Sequence, residues 1–262
     1  MAAQQDVRLV GRTLDIIEAL SAHPDGMSIK EITDCTSLNK TTVFRILSTL
    51  MHRGYVVKAS SDSQYRLSLR LYVLGKHAVP DYNLLSLAEP DLEWLSFQTH
   101  ETVHLAVQDG TQIQYLSKVI GSDSVQNFST LTGGHNYMYC TGLGKALLAQ
   151  LPPEEVKSIW EQSEKIQYTD NTISSLAGLN TEISEIKKRG YAIDNEEHET
   201  GISCIADVIF NAEDQPAAAI SITTISPRMT TAFFKRNVPL LHEAAAHISQ
   251  MLGYASGEEP ES

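Results

Sequence analysis

The first fifty residues alternate short stretches of helical periodicity with turn residues. The segment His23-Pro24-Asp25-Gly26 ends the first stretch, and Ser28 and Glu31 have the spacing of a capping box that begins a second helix. Asn39 can cap a third helix that runs to about Arg53. The apolar positions expected to face inward recur three or four residues apart: Val10, Leu14, Ile17 and Leu20 in the first helix, and Val43, Ile46, Leu47 and Leu50 in the third.

Two β-prone runs follow the third helix, at 55–57 and 64–67, and the polar loop 58–63 joins them into a predicted hairpin. Three helices and a hairpin in this order are typical of a winged helix-turn-helix, whose recognition helix enters the major groove of DNA N-terminus first. Arg45 can bind guanine O6 and N7 bidentately. We expect DNA contacts from the helix starts and the wing: Ser28, Asn39, Lys40, Thr41, Thr42, Arg45, Lys58, Ser61 and Ser63. The helical periodicity alone fits a small helical bundle with an ordinary charged surface equally well.

The remainder of the chain mixes helices with strands that lack strict βαβ alternation, which predicts an α+β domain. We predict a winged helix-turn-helix domain over 1–69, a helical linker over 70–99, and a C-terminal domain over 100–262. Pro90 is expected to kink or split the second linker helix, and Pro239 to bend or restart the last helix. The strands predicted in the C-terminal domain are 103–107, 113–119, 191–195, 202–211 and 217–225; its helices are 141–151, 154–162, 181–189 and a final one through Leu252.

Charge is distributed unevenly, and this changes the interpretation of the total. The 262 residues carry a formal net charge of −12, which by itself argues against nucleic acid as a partner. Residues 1–80, however, hold ten Lys and Arg against seven Asp and Glu, a balance of +3, while the rest of the chain carries −15. The positive balance therefore coincides with the predicted winged helix.

Composition narrows the class further. Hydrophobic residues make up 42% of the chain, enough for a globular core, and no apolar run approaches the ~20 residues of a membrane span. The N-terminus lacks the features of a secretion signal, and three widely spaced cysteines make a disulfide framework improbable. We therefore expect a cytoplasmic protein without a membrane partner.

Several motifs in this order resemble the IclR family of bacterial transcription regulators, over about 7–254. In the N-terminal part the resemblance rests on Asn39-Lys40-Thr41-Thr42-Val43-Phe44-Arg45-Ile46-Leu47, Gly54-Tyr55-Val56 and Tyr65-Arg66-Leu67. In the C-terminal part it rests on Thr141-Gly142-Leu143-Gly144-Lys145-Ala146-Leu147-Leu148-Ala149, on Arg189 to Glu197, and on Gly201-Ile202-Ser203-Cys204-Ile205-Ala206. The resemblance implies a winged helix, a linker helix and a GAF-like domain that binds a small effector, in a homodimer or dimer of dimers on a DNA operator. It implies a transcription regulator, taken here as a repressor.

The same resemblance places an effector cavity between the sheet and the helix that begins at the Gly-Leu-Gly-Lys turn. The lining that it implies is Phe128, Gly142, Leu143, Asp194, Ile202, Cys204, Ser221 and Thr223. Glycines and free N–H groups at that helix start, with hydroxyls on one strand face, would suit a small keto, sugar or aromatic acid; the glycines could equally serve packing alone. His135 and Tyr137 stand where relatives often have arginine and proline, so the identity of the effector does not carry over.

Two other classes of function compete with a regulator. An enzyme could pair Cys140 or Cys204 with a histidine (His104, His135 or His198), but the phosphate-loop and nucleophile-elbow patterns are incomplete, and we expect no catalytic residue and no cofactor. His100, His104, His198 and the cysteines lack a spaced zinc-ligand pair, so we expect no metal. A protein-interaction module that carries a winged helix stays open, and it predicts only weak, sequence-independent DNA affinity.

Overall fold

The computed structural model describes residues 7–58, 63–78, 84–124 and 130–255, with the backbone alone for 75–78. Its internal contacts divide the chain into two compact units, 1–82 and 83–262. Each unit has its own buried apolar core. In the described part of the chain, no helix is long and apolar enough to cross a membrane.

Three helices form the body of the first unit: α1 (Arg8–Ser21), α2 (Ile29–Thr36) and α3 (Lys40–His52). Both predicted caps are present, since Ser28 and Glu31 form the capping box and the Asn39 side chain accepts a hydrogen bond from the Thr42 N–H (2.9 Å). Ser37 lies in the left-handed region (φ 53°), which turns the chain sharply between α2 and α3. The core of this unit consists of Ile16, Leu20, Met27, Ile32, Val43, Ile46, Leu47, Leu50, Val56 and Tyr65.

The predicted inward face of α1 is wrong in its first half. Val10 and Leu14 are 54% and 50% exposed, whereas Ile16 and Leu20 are buried. The first helix thus packs against α2 and the wing through the side that carries Ile16, and its N-terminal apolar residues lie on the surface of this unit.

The wing is a two-stranded antiparallel sheet of β1 (Val56–Lys58) and β2 (Tyr65–Leu67), as predicted. Met27 joins it through a backbone bridge to Tyr65, which fixes the wing to the turn before α2. Helix α4 (Leu69–Ala78) follows within the first unit.

The second unit begins with α5 (Leu84–Thr99), whose Leu87, Leu92 and Leu95 are buried in its core. The segment 70–99 is therefore divided between the two units; that it acts as a linker stays a prediction. Pro90 lies inside one uninterrupted helix, so the expected split does not occur.

A six-stranded antiparallel sheet forms the centre of the second unit, in the order β5-β4-β3-β8-β7-β6. Its strands are β3 (Thr102–Asp109), β4 (Gln112–Val119), β5 (His135–Tyr137), β6 (Ala192–Asn195), β7 (Ile202–Phe210) and β8 (Pro216–Ile225). Sequence periodicity predicts all but β5, a three-residue edge strand.

Helices cover both faces of this sheet. Residues of α5 and α9 (Thr231–Met251) share one core with a sheet face of branched residues such as Ile205 and Ile220. Residues of α6 (Gly142–Leu148), α7 (Pro153–Gln162) and α8 (Leu176–Arg189) share the other core, where the sheet presents small residues such as Ala106, Ala206 and Ala219. Helix α9 continues through Pro239, so the restart, one of the two predicted alternatives, does not occur.

Candidate functional site

The first candidate site is the surface around the N-terminal end of α3. Lys40, Thr41 and Arg45 are exposed there, and Thr42 is half-buried. Asn39 is exposed and Ser28 is half-buried, and their side-chain oxygens accept hydrogen bonds from backbone N–H groups in the first turns of α2 and α3. These two side chains cap and stabilise the first turns of α2 and α3, and the residues that follow each cap project from those turns.

The structure brings six of the nine predicted DNA contacts together in two grooves beside α3. Ser28, Lys40, Lys58 and Ser63 line the groove between α2, α3 and the wing. Thr42 and Arg45 line the second groove, between α1 and α3. Asn39 and Thr41 line neither groove, and Ser61 lies outside the described residues.

Sequence reasoning omitted several residues of these grooves, two basic side chains among them. Lys30 and Thr33 line the first groove, and Arg12 lines the second. Lys30 and Thr33 are three apart on α2, so they share the helix face that follows the Ser28 cap. That spacing was visible in the sequence.

The second candidate site is a cavity on the α6 side of the large sheet. Antiparallel register aligns Asp194, Cys204 and Thr223 in one row across β6, β7 and β8. A second row aligns Ser221 with His104, from β8 to β3. Directly paired residues project to the same face, so the two rows form a polar floor.

The cavity brings together seven of the eight residues predicted to line it; the eighth, Phe128, lies outside the described residues. Its free volume of about 40 Å³ holds only a few water molecules. The full lining is His104, Tyr115, Thr130, Thr141, Gly142, Leu143, Asp194, His198, Glu199, Ile202, Cys204, Ser221 and Thr223.

Sequence reasoning missed six of these residues: His104, Tyr115, Thr130, Thr141, His198 and Glu199. One of them had a usable signal. Val103, Leu105 and Val107 alternate inward on one face, so His104 between them must face the other side of the sheet.

His104 is held as a neutral imidazole at the centre of the floor. Its Nδ1 lies 3.2 Å from Thr223 Oγ1 and its Nε2 lies 2.9 Å from Thr130 Oγ1. Burial, and to a smaller extent the charge of Lys118, lowers the pKa of His104 to about 3. At neutral pH this ring therefore offers one donor and one acceptor and no charge.

Ser221 is the polar group of the floor that stands without a partner. Its Oγ is fully buried and makes no hydrogen bond to any described residue. A buried hydroxyl without a partner costs free energy. A ligand in the cavity could supply the missing partner.

An acidic cluster lies at the β6 end of the floor. Lys145, fully buried on α6, forms an ion pair with Glu197, and the Glu197 N–H donates to Asp194 Oδ1 (2.8 Å). Burial and, to a smaller extent, the Glu197 charge raise the pKa of Asp194 to about 7, although the Lys145 charge acts in the opposite direction. The Lys145 ammonium group therefore lowers the pKa of two buried carboxylates, those of Glu197 and Asp194, and Asp194 titrates near neutral pH.

The two glycines at the start of α6 both permit close packing. A Cβ at Gly142 would lie 2.6 Å from Cys204 Sγ, and a Cβ at Gly144 would lie 2.3 Å from the Met138 Cα. The N–H of Gly144 donates to Thr141 Oγ1 (3.1 Å). One N–H group at this helix start that was expected to be free for an anion thus already has a partner.

The arrangement does not favour the nucleophile pairs considered from the sequence. Burial raises the pKa of the Cys140 and Cys204 thiols, which keeps both protonated at neutral pH. His104 bonds to two threonines, His135 bonds to Asp109 (2.9 Å), and His198 packs against Tyr168. In the part of the chain that the structure describes, no group of three His, Cys, Asp or Glu side chains is placed to hold a metal ion.

Comparison with known proteins decides the family. The model described as "Bacterial transcriptional regulator IclR C-terminal" matches residues 76–250, and that described as "IclR helix-turn-helix domain" matches residues 9–60. The chain belongs to the IclR family. Its IclR relatives are transcription regulators, which confirms the predicted family, fold class and DNA-binding regulatory function and removes the enzyme alternative.

Individual IclR proteins are similar over nearly the whole chain. The DNA-binding transcriptional repressor YiaJ of Escherichia coli is 33% identical over 93% of this chain and 87% of its own length. The HTH-type transcriptional regulator KdgR of Escherichia coli is 33% identical over 95% of this chain and 94% of its own length. The crystal structure of the Thermotoga maritima IclR protein superimposes with a TM-score of 0.63 at 31% identity, and covers 94% of this chain and 99% of that one.

Proposed function

We propose that this regulator is a repressor that binds a pseudo-palindromic operator as a homodimer or dimer of dimers. The observation that carries the proposal is the exposed start of α3, where Lys40, Thr41 and Arg45 are all accessible. Two such helices in a symmetric oligomer would reach half-sites about one helical turn apart. The name of YiaJ, a repressor, supports the direction of regulation.

The base-reading contacts are assigned to Thr41, Thr42 and Arg45, and the backbone contacts to Lys40, Lys58 and Ser63. Arg45 gives the most specific prediction of this set, because a guanidinium group can donate hydrogen bonds to both O6 and N7 of one guanine. Ser28 and Asn39 act by holding the first turns of α2 and α3.

The effector is a small organic or sugar acid that binds in the cavity beside α6. Ser221, Thr223 and Thr130 offer hydroxyls, and Lys118 donates to the Thr130 carbonyl oxygen (3.0 Å), which brings a positive charge to the cavity edge. Because the free volume is about 40 Å³, an organic acid fits only when lining side chains move. Such movement would couple the cavity to DNA binding with a typical free energy of ~1–3 kcal/mol.

The DNA assignment is tested with Arg45→Ala. Binding sites are first selected from random duplexes with the wild-type protein, and affinity for a selected site is then titrated. We expect Arg45→Ala to weaken binding by about 1–3 kcal/mol and to relax preference for one guanine. Arg53 is an exposed arginine at the C-terminal end of the same helix. The Arg53→Ala variant is therefore the matched control, and it should bind the selected site with the wild-type affinity. Unchanged affinity of the Arg45 variant would refute the assignment.

The effector assignment is tested by thermal unfolding with pyruvate, gluconate and benzoate as keto, sugar and aromatic acids. At least one acid should raise the unfolding temperature and change affinity for the selected DNA site. If no acid of these three classes stabilises the protein, the proposed ligand class is wrong, while DNA recognition by α3 is unaffected.

A further inference from the structure

The cavity beside α6 is lined by acidic side chains, although its proposed ligand is an acid. Asp194 and Glu199 line it, and among the described residues no lysine or arginine does so. Two like charges that lie close together in a buried site do not both ionise readily. The lining and an anionic ligand therefore repel each other unless a nearby cation or a proton balances the charge.

Two ammonium groups near the cavity already have carboxylates opposite them. Lys145 forms an ion pair with Glu197, and its charge also acts on Asp194. Burial lowers the pKa of Lys118 at the cavity edge, and the charge of Glu199 acts in the opposite direction. Two cations thus stand opposite three carboxylates before any acid is bound, so they leave no positive charge to balance an anionic ligand.

The histidines, thiols and phenol around Asp194 carry no charge near neutral pH. Burial lowers the pKa of the His104 and His198 imidazoles, which line the same cavity. Burial raises the pKa of the phenol and of both thiols, so these three groups keep their protons. The titratable groups that face Asp194 from the surrounding elements are Lys145 of α6, Cys140 before α6, Tyr115 of β4, Cys204 of β7, and Glu197 and His198 after β6. A proton is therefore the available counter-charge.

We propose that the cavity binds an organic acid together with one proton, and that Asp194 holds this proton in the complex. The assignment of the cavity to an acidic effector underlies this step. Asp194 is favoured over Glu197 because Asp194 lines the cavity, whereas Glu197 lies outside the lining and is paired with Lys145. Burial also raises the pKa of Asp194 to about 7, so a further negative charge beside it shifts the carboxyl group to its protonated form.

Protonation changes what Asp194 offers to a ligand. An ionised carboxylate only accepts hydrogen bonds, whereas a protonated carboxyl group can also donate one. The proton comes from solvent and forms the O–H bond of Asp194, and no other bond forms or breaks. A neutral ligand of the same shape needs no such proton, so proton uptake distinguishes the binding of an acid from the binding of its amide.

Isothermal titration calorimetry of the full chain measures this uptake directly. Pyruvate, gluconate and benzoate are titrated in HEPES and in Tris at about pH 8, because the two buffers release a proton with different enthalpies. We expect the wild type to take up nearly one proton per acid bound there, and far less at about pH 6, where Asp194 is already protonated. Affinity for the same acid should fall about fivefold from about pH 7 to about pH 8. Pyruvamide, gluconamide and benzamide should bind without uptake.

Two variants locate the proton. Asp194→Asn should bind the acid without proton uptake and with the same affinity at about pH 7 and about pH 8. Asp214→Asn is the matched control, since Asp214 is an exposed carboxylate in the turn between β7 and β8, and it should keep the wild-type uptake. Undiminished uptake by Asp194→Asn would place the proton on another group and overturn the proposal.

The wild-type measurement decides the main claim without any variant. An acid that binds with no proton uptake at about pH 8 would overturn the proposal and leave the cavity as the effector site. If none of the three acids binds even at about pH 6, where repulsion by Asp194 is smallest, the assignment of an acidic effector fails as well.

Discussion

At the scale of single residues, strand β8 offers two buried hydroxyls in opposite situations. Ser221 faces the cavity and has no hydrogen-bond partner among the described residues. Thr224, three residues on and therefore on the other face, donates to Glu101 Oε1 (2.8 Å), which also receives Arg228 (3.1 Å). The first hydroxyl is available to a ligand, and the second already stabilises a buried carboxylate.

These two positions predict opposite effects on stability. Thr224→Val should lower the free energy of unfolding by about 1–3 kcal/mol, because Glu101 loses one of its donors in a buried setting. Ser221→Ala should leave that free energy unchanged or slightly raised, since it removes a polar atom that has no partner. Urea unfolding of both variants measures the difference, and any effector that stabilises the wild type should stabilise Ser221→Ala less. A destabilisation of more than about 1 kcal/mol by Ser221→Ala would show that its hydroxyl is already satisfied.

Residue-scale prediction from the sequence was best where the pattern is local. Ser28 and Asn39 each accept a hydrogen bond from a backbone N–H group three residues further along the chain, and both caps were predicted. The partners of His104 are 119 and 26 residues away in the chain, so no local pattern could name them. The register of β3 against β8 brings His104 to one of these partners, Thr223.

At the scale of elements, tertiary packing overrides two of the local patterns. Pro90 and Pro239 each remove a backbone donor, at a cost of about 3 kcal/mol in a helix interior, yet α5 and α9 continue through them. Both helices pack on the same sheet face and against each other, and that burial offsets the local cost. The face of α1 was mispredicted for a related reason: Val10 and Leu14 fit the helical period as well as Ile16 does, and only contact with α2 and the wing decides between them.

The close packing of the first turn of α6 against Met138 leads to a prediction at the same scale. Gly144→Ala would place a Cβ 2.3 Å from backbone atoms of Met138, so α6 or the turn before it must shift, at a cost of about 3 kcal/mol. Gly178→Ala in α8 is the control, since its nearest contact is the Ser175 hydroxyl oxygen at 3.2 Å and alanine favours the helix by up to about 1 kcal/mol. Chemical denaturation should therefore separate the two variants by at least about 2 kcal/mol. Equal stability would mean that α6 is not held as tightly as the contact distances indicate.

At the scale of the whole molecule, the charge of −12 combines two units of different character. The +3 of residues 1–80 accompanies a surface of lysines and hydroxyls around α3, while the −15 lies on the part of the chain that holds the cavity. An acidic body disfavours nonspecific approach to DNA except through the basic unit. This division was visible in the sequence, because charge counts need no knowledge of the fold.

Separate cores predict separate unfolding of the two units. Leu47 is fully buried in the first unit, so Leu47→Ala should cost about 2–5 kcal/mol there and leave the second unit intact. The two tryptophans, Trp94 and Trp160, both lie in the second unit, so tryptophan fluorescence reports that unit alone. In thermal unfolding, Leu47→Ala should advance part of the circular dichroism change and abolish DNA binding at a lower temperature, with the fluorescence midpoint unmoved.

The reciprocal variant is Leu148→Ala, since Leu148 is fully buried in the core around α6. It should lower the fluorescence midpoint, because the cavity it leaves is inside the unit that contains both tryptophans. If Leu47→Ala moved the fluorescence midpoint as far as Leu148→Ala does, the two units would unfold as one cooperative body. In that case a ligand bound in the cavity could stabilise α3 directly, because both units would share one unfolding equilibrium. If the two units unfold independently, the ligand must instead act by changing how one folded unit is placed against the other.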